Sequence, residues 1–171
     1  KEMTEKLNVV LKAHIALASA RLPQGVSGNA ADIICRSVMW RRGLDYKHGT
    51  GHGVGCFLNV HEGPQNFSLH ASSYPLAENM IVSIEPGYYR ENAFGIRIEN
   101  LARIVVDEES GMLKFAVLTL APLDKRLIDK YLLTDEEISW LNDYHRDVLQ
   151  KVSPYLTEEE KIWLKEACSS L

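Results

Sequence analysis

The feature that most restricts the fold of this chain is a glycine-rich segment at residues 48–55, His-Gly-Thr-Gly-His-Gly-Val-Gly, in which every second residue is glycine. Glycine in a helix interior costs about 1 kcal/mol per residue, so this density of glycine argues against a helix. In an extended chain at about 3.3 Å per residue, the rings of His48 and His52 point the same way but lie roughly 13 Å apart. We therefore expect a loop and strand in which the two histidines have separate roles.

Hydrophobic periodicity predicts the regular elements on either side of this segment. Apolar residues at intervals of three and four predict helices over residues 3–20 and 29–42, and Gly43 follows the second as a left-handed cap. Apolar and β-branched runs predict strands, which in chain order cover residues 57–60, 80–84, 95–99, 101–106 and 115–120. We expect an α+β fold with a small, mainly antiparallel sheet and flanking helices.

The C-terminal part of the chain is predicted to be helical. Thr134 with Glu137, and Thr157 with Glu160, have the spacing of a capping box, and each pair precedes an amphipathic segment. The apolar residues expected to pack are Ile138, Leu141, Val148, Ile162, Trp163 and Ala167. We therefore expect two domains, residues 1–122 and a C-terminal helical extension over residues 123–171.

Composition and charge exclude several classes of protein. The 171-residue chain has a formal charge of -4 and no dense basic run that could follow a phosphate backbone, so we expect no nucleic-acid partner. Its apolar stretches are far shorter than the roughly 20 residues that span a bilayer, so we expect no membrane partner. The three widely spaced cysteines do not resemble a disulfide framework, which favours the cytoplasm.

Polar residues at the ends of the predicted strands are further candidates for a functional site. Glu85 ends one strand before Pro-Gly, Arg97 and Glu99 alternate on one face of another, and His61 lies in a turn at the sheet edge. Taken alone, each glutamate is more often solvated or paired with arginine. One imidazole and two carboxylates that converge would instead suit manganese, zinc or cobalt.

Other candidates carry less weight. A phosphate-binding loop at residues 48–55 would need a Gly-Lys-Ser/Thr ending and a preceding apolar strand, and the sequence has neither. His14, His70 and His145 are interpreted as structural or surface histidines, which is the common role of a lone histidine. We leave all three out of the site.

Four ordered motifs carry a resemblance to a known family; they are His48-Gly-Thr-Gly-His52, Asn59-Val-His-Glu-Gly-Pro64, Glu85-Pro-Gly-Tyr-Tyr89 and Gly95-Ile-Arg-Ile-Glu-Asn100. Together they resemble the Xaa-Pro aminopeptidases, also called aminopeptidase P. The resemblance implies a partial pita-bread (creatinase/aminopeptidase-like) fold, with residues 1–122 as the C-terminal portion of a metallopeptidase catalytic domain. The sequence opens in a helical pattern without an initial Met, and we expect it to be a piece of a longer protein.

The resemblance implies a dinuclear metal centre, with manganese expected and zinc or cobalt as alternatives. The family holds this centre with two aspartates, one histidine and two glutamates, and the motifs place the last three at His52, Glu85 and Glu99. The two aspartates have no counterpart here, because Asp124 and Asp135 follow the glutamates and are interpreted as surface charge. We therefore expect an incomplete centre and no activity from this chain alone.

The implied reaction is hydrolysis of the bond between an N-terminal residue and a following proline, with a water activated by two metal ions. Glu85 would relay the proton, and His61 would donate to the oxyanion or the substrate backbone. His48 would line the proline side of the cleft, so that His48, His52 and His61 all face the substrate. Arg97 would orient the carboxylates.

Three alternatives stay open. A prolidase-like dipeptidase uses the same ligand set within the same fold. Some pita-bread proteins have lost their metal and serve as pseudopeptidases or binding modules. The chain could also be an interaction fragment that associates through C-terminal helices carrying Trp140 and Trp163, and a homodimer is expected.

Overall fold

The computed structural model describes residues 1–57, 59–70 and 73–171, and these residues form two compact units. One unit is Val9–Thr119, and the other combines Lys1–Asn8 with Leu120–Leu171. Within the described ranges, every helix is too short or too polar to cross a lipid bilayer. The domain boundary expected at residues 122–123 stays a prediction.

Helices α1 (Glu2–Ala18) and α2 (Gly28–Trp40) follow the predicted periodicity. The Cys35 thiol of α2 donates to the carbonyl oxygen of Ala13 at 2.9 Å, so the two helices are in contact. Gly43 has a φ angle of 65°, in the left-handed region that favours glycine. The predicted cap at the end of α2 is therefore confirmed.

The described residues of unit Val9–Thr119 contain three small antiparallel sheets. Their strands are β1 (Gly51–His52), β2 (Asn66–Phe67), β3 (Ile81–Ile84), β4 (Gly87–Arg90), β5 (Phe94–Arg97), β6 (Asn100–Val106) and β7 (Leu113–Val117). β6 lies between β3 and β7, β4 pairs with β5, and β1 pairs with β2. The predicted α+β class with antiparallel sheets is confirmed.

The glycine-rich segment lies directly against the end of β3. The backbone N–H of Glu85 donates to the carbonyl oxygen of Thr50 at 2.7 Å. A Cβ atom on Gly51 would lie 1.9 Å from the carbonyl oxygen of Ser83, so only glycine permits this approach. This contact brings the backbone around His52 next to the end of β3.

The predicted strand over residues 57–60 is wrong for its described residues. Phe57 and Val60 are 92% and 61% exposed and belong to no strand, and Leu58 lies outside the described residues. The chain turns back instead, because the N–H of Gly55 donates to the carbonyl oxygen of Asn59 at 2.8 Å. Strand propensity reflects packing on a half-buried pleated surface, and this loop offers no such surface.

The second unit contains helices α3 (Asp135–Val152) and α4 (Glu158–Ala167), with 3-10 turns at Lys125–Leu127, Lys130–Leu132 and Ser153–Tyr155. Both predicted capping boxes are present. The hydroxyls of Thr134 and Thr157 accept from the backbone N–H of the glutamate three residues on, and each glutamate accepts from the threonine N–H. These caps satisfy backbone donors at the helix start, which fixes where each helix begins.

The packing of the last helix differs from the prediction. Leu141 and Val148 of α3 are fully buried as expected. In α4, however, Ile162 and Trp163 are 71% and 62% exposed, and Leu164 is the buried residue. A helix of 10 residues has one narrow buried stripe, and an apolar pattern alone does not reveal which residues form it.

Surface positions account for the two aspartates that follow the glutamate motifs. Asp124 is exposed and forms an ion pair with Arg126, and Asp135 is exposed in the first turn of α3. Their interpretation as surface charge is confirmed.

Candidate functional site

A cavity of about 370 Å³ collects most of the residues that the sequence singles out. Its walls include His48, His52, His61, Glu85 and Arg97. The glycine-rich segment supplies the first two of these residues, and the ends of β3 and β5 supply the last two. The fold therefore joins candidates from four separate sequence motifs at one place.

His52 and Glu85 face each other at the centre of this cavity. Nδ1 of His52 lies 2.8 Å from the carbonyl oxygen of Gly53, which can only accept, so Nδ1 carries the hydrogen. Nε2 then presents its lone pair, at 3.1 Å from Oε1 of Glu85. A lone pair that faces a carboxylate oxygen requires a proton or a metal cation nearby. A histidine held by its backbone-bonded Nδ1 is also the usual form of a metal ligand, so the pair fits a metal ion.

The carboxylate of Glu85 is held from both sides. The hydroxyl of Ser83 donates to Oε1 at 2.8 Å and accepts from the backbone N–H of His52 at 3.0 Å. Nη1 of Arg97 lies 3.4 Å from Oε2. The Glu85 side chain is 10% exposed, and a carboxylate so buried needs such partners. Its orientation is therefore fixed before any ligand arrives.

Tyr89 links Arg97 to His48 and was missed as a site residue at the sequence level. Nε of Arg97 donates to the Tyr89 hydroxyl at 2.8 Å, and this hydrogen bond raises the pKa of Arg97. The Tyr89 ring meets the His48 ring edge-on, with 5.3 Å between centroids. Because Gly87 pairs with Arg97 in the β4–β5 hairpin and strand side chains alternate, Tyr89 lies on the same face, which the alternation could have revealed.

His48 contributes a buried nitrogen to the cavity. Its Nδ1 lies 2.7 Å from the carbonyl oxygen of Gly49 and therefore carries the hydrogen. Its Nε2 is buried and has no hydrogen-bond partner in the part of the chain that the structure describes. An unsatisfied buried acceptor costs about 1–3 kcal/mol, so this atom is suited to accept a hydrogen bond from a ligand.

His61 is exposed and lies beside His52. The two ring centroids are 4.2 Å apart. The loop that carries His61 is tied back by the N–H of Glu62, which donates to the carbonyl oxygen of Gly53 at 2.9 Å. The fold thus places an exposed imidazole next to the ring that faces Glu85.

Glu99 differs from its predicted position. The strand that carries Arg97 ends at that residue, and Glu99 lies exposed in the connection to β6. The ladder ends here because Pro86, which precedes β4, accepts from the N–H of Ile98 at 3.4 Å but has no N–H to donate in return. Among the described residues, no three His, Cys, Asp or Glu side chains converge as a metal site. A role for Glu99 as a ligand stays a prediction.

Two charged residues of α2 contact the glycine-rich segment and were also missed. Asp32 accepts from the backbone N–H of Thr50 at 3.3 Å, and Nη2 of Arg36 donates to the carbonyl oxygen of His48 at 2.6 Å. Their spacing of four residues places both on one helix face. That spacing could have suggested an ion pair, but nothing in the sequence indicates that the pair is buried.

Comparison with known families gives matches over nearly the whole chain. Residues 1–107 match metallopeptidase family M24, and residues 111–171 match the C-terminal region of peptidase M24. Aminopeptidase P1 of Lotus japonicus is 48% identical over 170 residues, which cover 92% of this chain and 25% of that protein. Aminopeptidase P2 of Arabidopsis thaliana is 48% identical over 164 residues, which cover 90% and 23%. The chain spans about a quarter of the length of these curated relatives.

Solved structures show the same relationship. X-prolyl aminopeptidase from Caenorhabditis elegans, a cytosolic enzyme with a di-nuclear active site, matches with a TM-score of 0.93 and 42% identity. That match covers 100% of this chain and 29% of the other. A prolidase from Pyrococcus furiosus matches with a TM-score of 0.58 and 30% identity, covering 67% of this chain and 32% of the other. The expected partial pita-bread fold is confirmed.

Proposed function

Because the chain belongs to metallopeptidase family M24, we propose that it forms part of the active site of an Xaa-Pro aminopeptidase. Such an enzyme removes the N-terminal residue from peptides with proline in the second position. The observation that carries the proposal is Nε2 of His52 facing Oε1 of Glu85 at 3.1 Å in a cavity shared with two further histidines. The relatives named aminopeptidase P support this substrate class.

Prolidase is the second candidate within the family. The prolidase of Pyrococcus furiosus matches 67% of this chain with a TM-score of 0.58, whereas the X-prolyl aminopeptidase of Caenorhabditis elegans matches 100% with 0.93. The additional coverage supports the aminopeptidase. A metal-free binding module is the third candidate, and the inward-facing Nε2 of His52 beside a carboxylate argues against it.

We assign His52, Glu85 and Glu99 to a dinuclear metal centre, with manganese expected and zinc or cobalt as alternatives. His52 and Glu85 fit this role because both present electron pairs to the same point of the cavity. When bound, the metal ions would polarise the peptide carbonyl and lower the pKa of a water molecule. The two aspartate ligands have no counterpart in this chain, so we expect the chain alone to be inactive.

The remaining roles follow from the contacts of each side chain. Glu85, oriented by Ser83 and Arg97, takes the proton of the attacking water and passes it to the leaving amine. His61 is exposed and donates to the oxyanion or the peptide backbone. His48 lines the proline side, where its Nε2 accepts a hydrogen bond from the peptide.

Location and assembly are also part of the proposal. The cytosolic relative from Caenorhabditis elegans supports a cytoplasmic location. The exposed Ile162 and Trp163 of α4 offer an apolar surface, which supports a homodimer through the C-terminal helices. We expect peptides to be the partners of the site, with no nucleic-acid or membrane partner.

A comparison of three peptides tests the activity. The protein that contains this chain is incubated with Arg-Pro-Pro, Arg-Ala-Pro and the dipeptide Arg-Pro in the presence of Mn²⁺, and released arginine is quantified. We expect cleavage of Arg-Pro-Pro alone. Cleavage of the dipeptide alone would identify a prolidase, and equal cleavage of Arg-Ala-Pro would contradict the proline requirement.

Matched variants test the site. His52→Ala should reduce cleavage of Arg-Pro-Pro at least 100-fold, whereas His70→Ala, which removes an exposed histidine outside the cavity, should leave it unchanged. In calorimetry of the 171-residue chain, weak Mn²⁺ binding should be lost in His52→Ala and in Glu99→Ala. Binding that survives both substitutions would contradict the assigned ligands.

A further inference from the structure

Helix α2 carries a buried ion pair beneath the glycine-rich segment. Nε of Arg36 lies 2.7 Å from Oδ2 of Asp32, and the two side chains are 4% and 0% exposed. Burying two charges is costly, and apolar residues of similar volume often stabilise a fold equally well. Packing alone therefore does not explain a buried ion pair at this position.

Nη1 of Arg36 also pairs with Oδ1 of Asp45 at 2.7 Å, and the other remaining hydrogen bonds of the Asp32–Arg36 pair go to residues 46–50. Nη1 of Arg36 donates to the carbonyl oxygen of Tyr46 at 2.8 Å, and Nη2 donates to that of His48 at 2.6 Å. Oδ1 of Asp32 accepts from the N–H of Thr50 at 3.3 Å and from its hydroxyl at 2.5 Å. The pair thus holds Tyr46, His48 and Thr50, which are every second residue from 46 to 50.

These anchored residues lead directly to the candidate site. The anchored carbonyl of His48 belongs to the residue whose ring packs against Tyr89. The carbonyl oxygen of Thr50 accepts from the backbone N–H of Glu85 at 2.7 Å. Fixing Thr50 therefore also fixes the backbone that carries the Glu85 carboxylate. Glycines stand on both sides of Thr50, at Gly49 and Gly51, and without an anchor they would sample many conformations.

We propose that the Asp32–Arg36 pair is a positioning device that fixes the glycine-rich segment, so that His48 and Glu85 are in place before peptide and metal bind. It acts through backbone carbonyl and amide groups and through the hydroxyl of Thr50, and neither Asp32 nor Arg36 lines the cavity. The identity of the ligands rests on the proposed function, but the anchoring itself does not. Misplacement of such groups by about 1 Å can cost 100-fold in rate.

Two disruptive variants and two controls test the proposed positioning role of the Asp32–Arg36 pair. Arg36→Lys keeps the charge but loses the guanidinium group that reaches two carbonyl oxygens. Thr50→Val removes the hydroxyl of Thr50 and keeps a side chain of similar size. Thr50→Ser keeps the hydroxyl and serves as the rescue. The control is Asp107→Asn, because Asp107 is likewise buried, at 6% exposure, and paired with Lys114 at 2.7 Å, in the same unit but outside the cavity.

The readouts are imidazole ¹⁵N signals of the metal-free chain, Mn²⁺ affinity by calorimetry, and the free energy of unfolding in urea. Arg36→Lys and Thr50→Val should shift the His48 signals and weaken Mn²⁺ binding at least tenfold. Thr50→Ser should leave the His48 signals and the Mn²⁺ affinity at their wild-type values. Asp107→Asn should lower only the free energy of unfolding. Unaltered His48 signals and Mn²⁺ affinity in a folded Thr50→Val chain would overturn the proposal, even where unfolding is easier.

Failure of the proposed function would give a different result. A chain that binds no Mn²⁺, from a protein that cleaves no Arg-Pro-Pro, would contradict the peptidase assignment. The His48 signals would then decide the anchoring alone, since they are measured without metal. Shifted signals in Arg36→Lys and Thr50→Val would still support the device.

Discussion

Nε2 of His52 and Oε1 of Glu85 lie 3.1 Å apart, and the ring hydrogen of His52 is committed to the carbonyl oxygen of Gly53 on the opposite side. Two electron-rich atoms therefore face each other inside a partly enclosed cavity. This arrangement needs a proton or a metal cation between the atoms, and Arg97 reaches only the other carboxylate oxygen. A metal ion bound there would take the place of that proton.

Replacing Glu85 by Gln should separate stability from metal binding. The amide N–H of Gln can donate to Nε2 of His52, so the metal-free chain should gain about 1 kcal/mol in free energy of unfolding. Its affinity for Mn²⁺ should fall at least tenfold. Urea denaturation followed by circular dichroism, with EDTA and with Mn²⁺, measures both. A metal-free Glu85→Gln chain that is less stable than wild type would mean that a proton already bridges the pair.

Tyr89→Phe should loosen the contact between Arg97 and Glu85 without changing a residue that contacts the substrate. The substitution removes the hydroxyl that accepts from Nε of Arg97, so the guanidinium keeps only its contact with Glu85. We expect kcat for Arg-Pro-Pro to fall about tenfold with little change in KM. Tyr88→Phe, on the opposite face of β4, is the control and should retain normal kcat. Equal losses in both variants would show that β4 packing, not the hydroxyl, matters.

Gly51→Ala should force β1 away from β3. The added Cβ would lie 1.9 Å from the carbonyl oxygen of Ser83, which is backbone and cannot rotate aside. We expect a loss of about 2–3 kcal/mol in free energy of unfolding. Gly111→Ala is the comparison, because its φ of 68° is strained for alanine but its surroundings are open. That variant should lose only about 1–2 kcal/mol, and an equal loss at Gly51 would argue against the close approach.

Stability should fall between neutral and mildly acidic pH because of His14. Burial lowers the pKa of His14 to about 4, whereas the unfolded chain titrates near the ordinary value of 6.5. As pH falls below 6.5, His14 becomes protonated in the unfolded state but stays neutral in the folded state. The free energy of unfolding is therefore highest above pH 6.5 and declines toward pH 4. The total decline is roughly 3 kcal/mol.

Urea denaturation at pH 7.5, 6 and 5 measures this decline. His14→Gln should remove the part of the pH dependence that comes from His14, because glutamine does not titrate. Burial also lowers the pKa of His145, which contributes the remainder. His70→Gln, which changes an exposed histidine, should keep the wild-type dependence. A pH profile of His14→Gln that matches wild type would assign the decline to other groups.

Periodicity and local chemistry predict most of the regular structure of this chain. The capping boxes at Thr134 and Thr157 begin α3 and α4 where expected, because a cap depends only on residues one turn apart. The strand expected at residues 57–60 fails, because strand formation depends on neighbours distant in sequence. Trp163 is exposed for the same reason, since a helix shows its apolar residues but not the surface they meet.

The site shows the same division. Motif spacing brings out His48, His52, His61, Glu85 and Arg97, and the fold gathers these five around one cavity. The Asp32–Arg36 pair escapes sequence reasoning because an i, i+4 ion pair has the same pattern on a surface as in a core. Its importance comes from its burial beneath backbone carbonyl groups, which only three-dimensional structure reveals.

The β4–β5 hairpin has a consequence for how this fold can vary. Its base is fixed, because Gly87 pairs with Arg97 directly beside Glu85, while its turn at residues 91–93 is exposed. Adding one residue to each strand near the turn lengthens the hairpin and leaves the base in register. Adding one residue to β5 alone would turn Arg97 to the opposite face. Insertions near the turn are therefore tolerated only when β4 and β5 gain the same number of residues. The length of the hairpin can vary in this way while its base keeps its geometry.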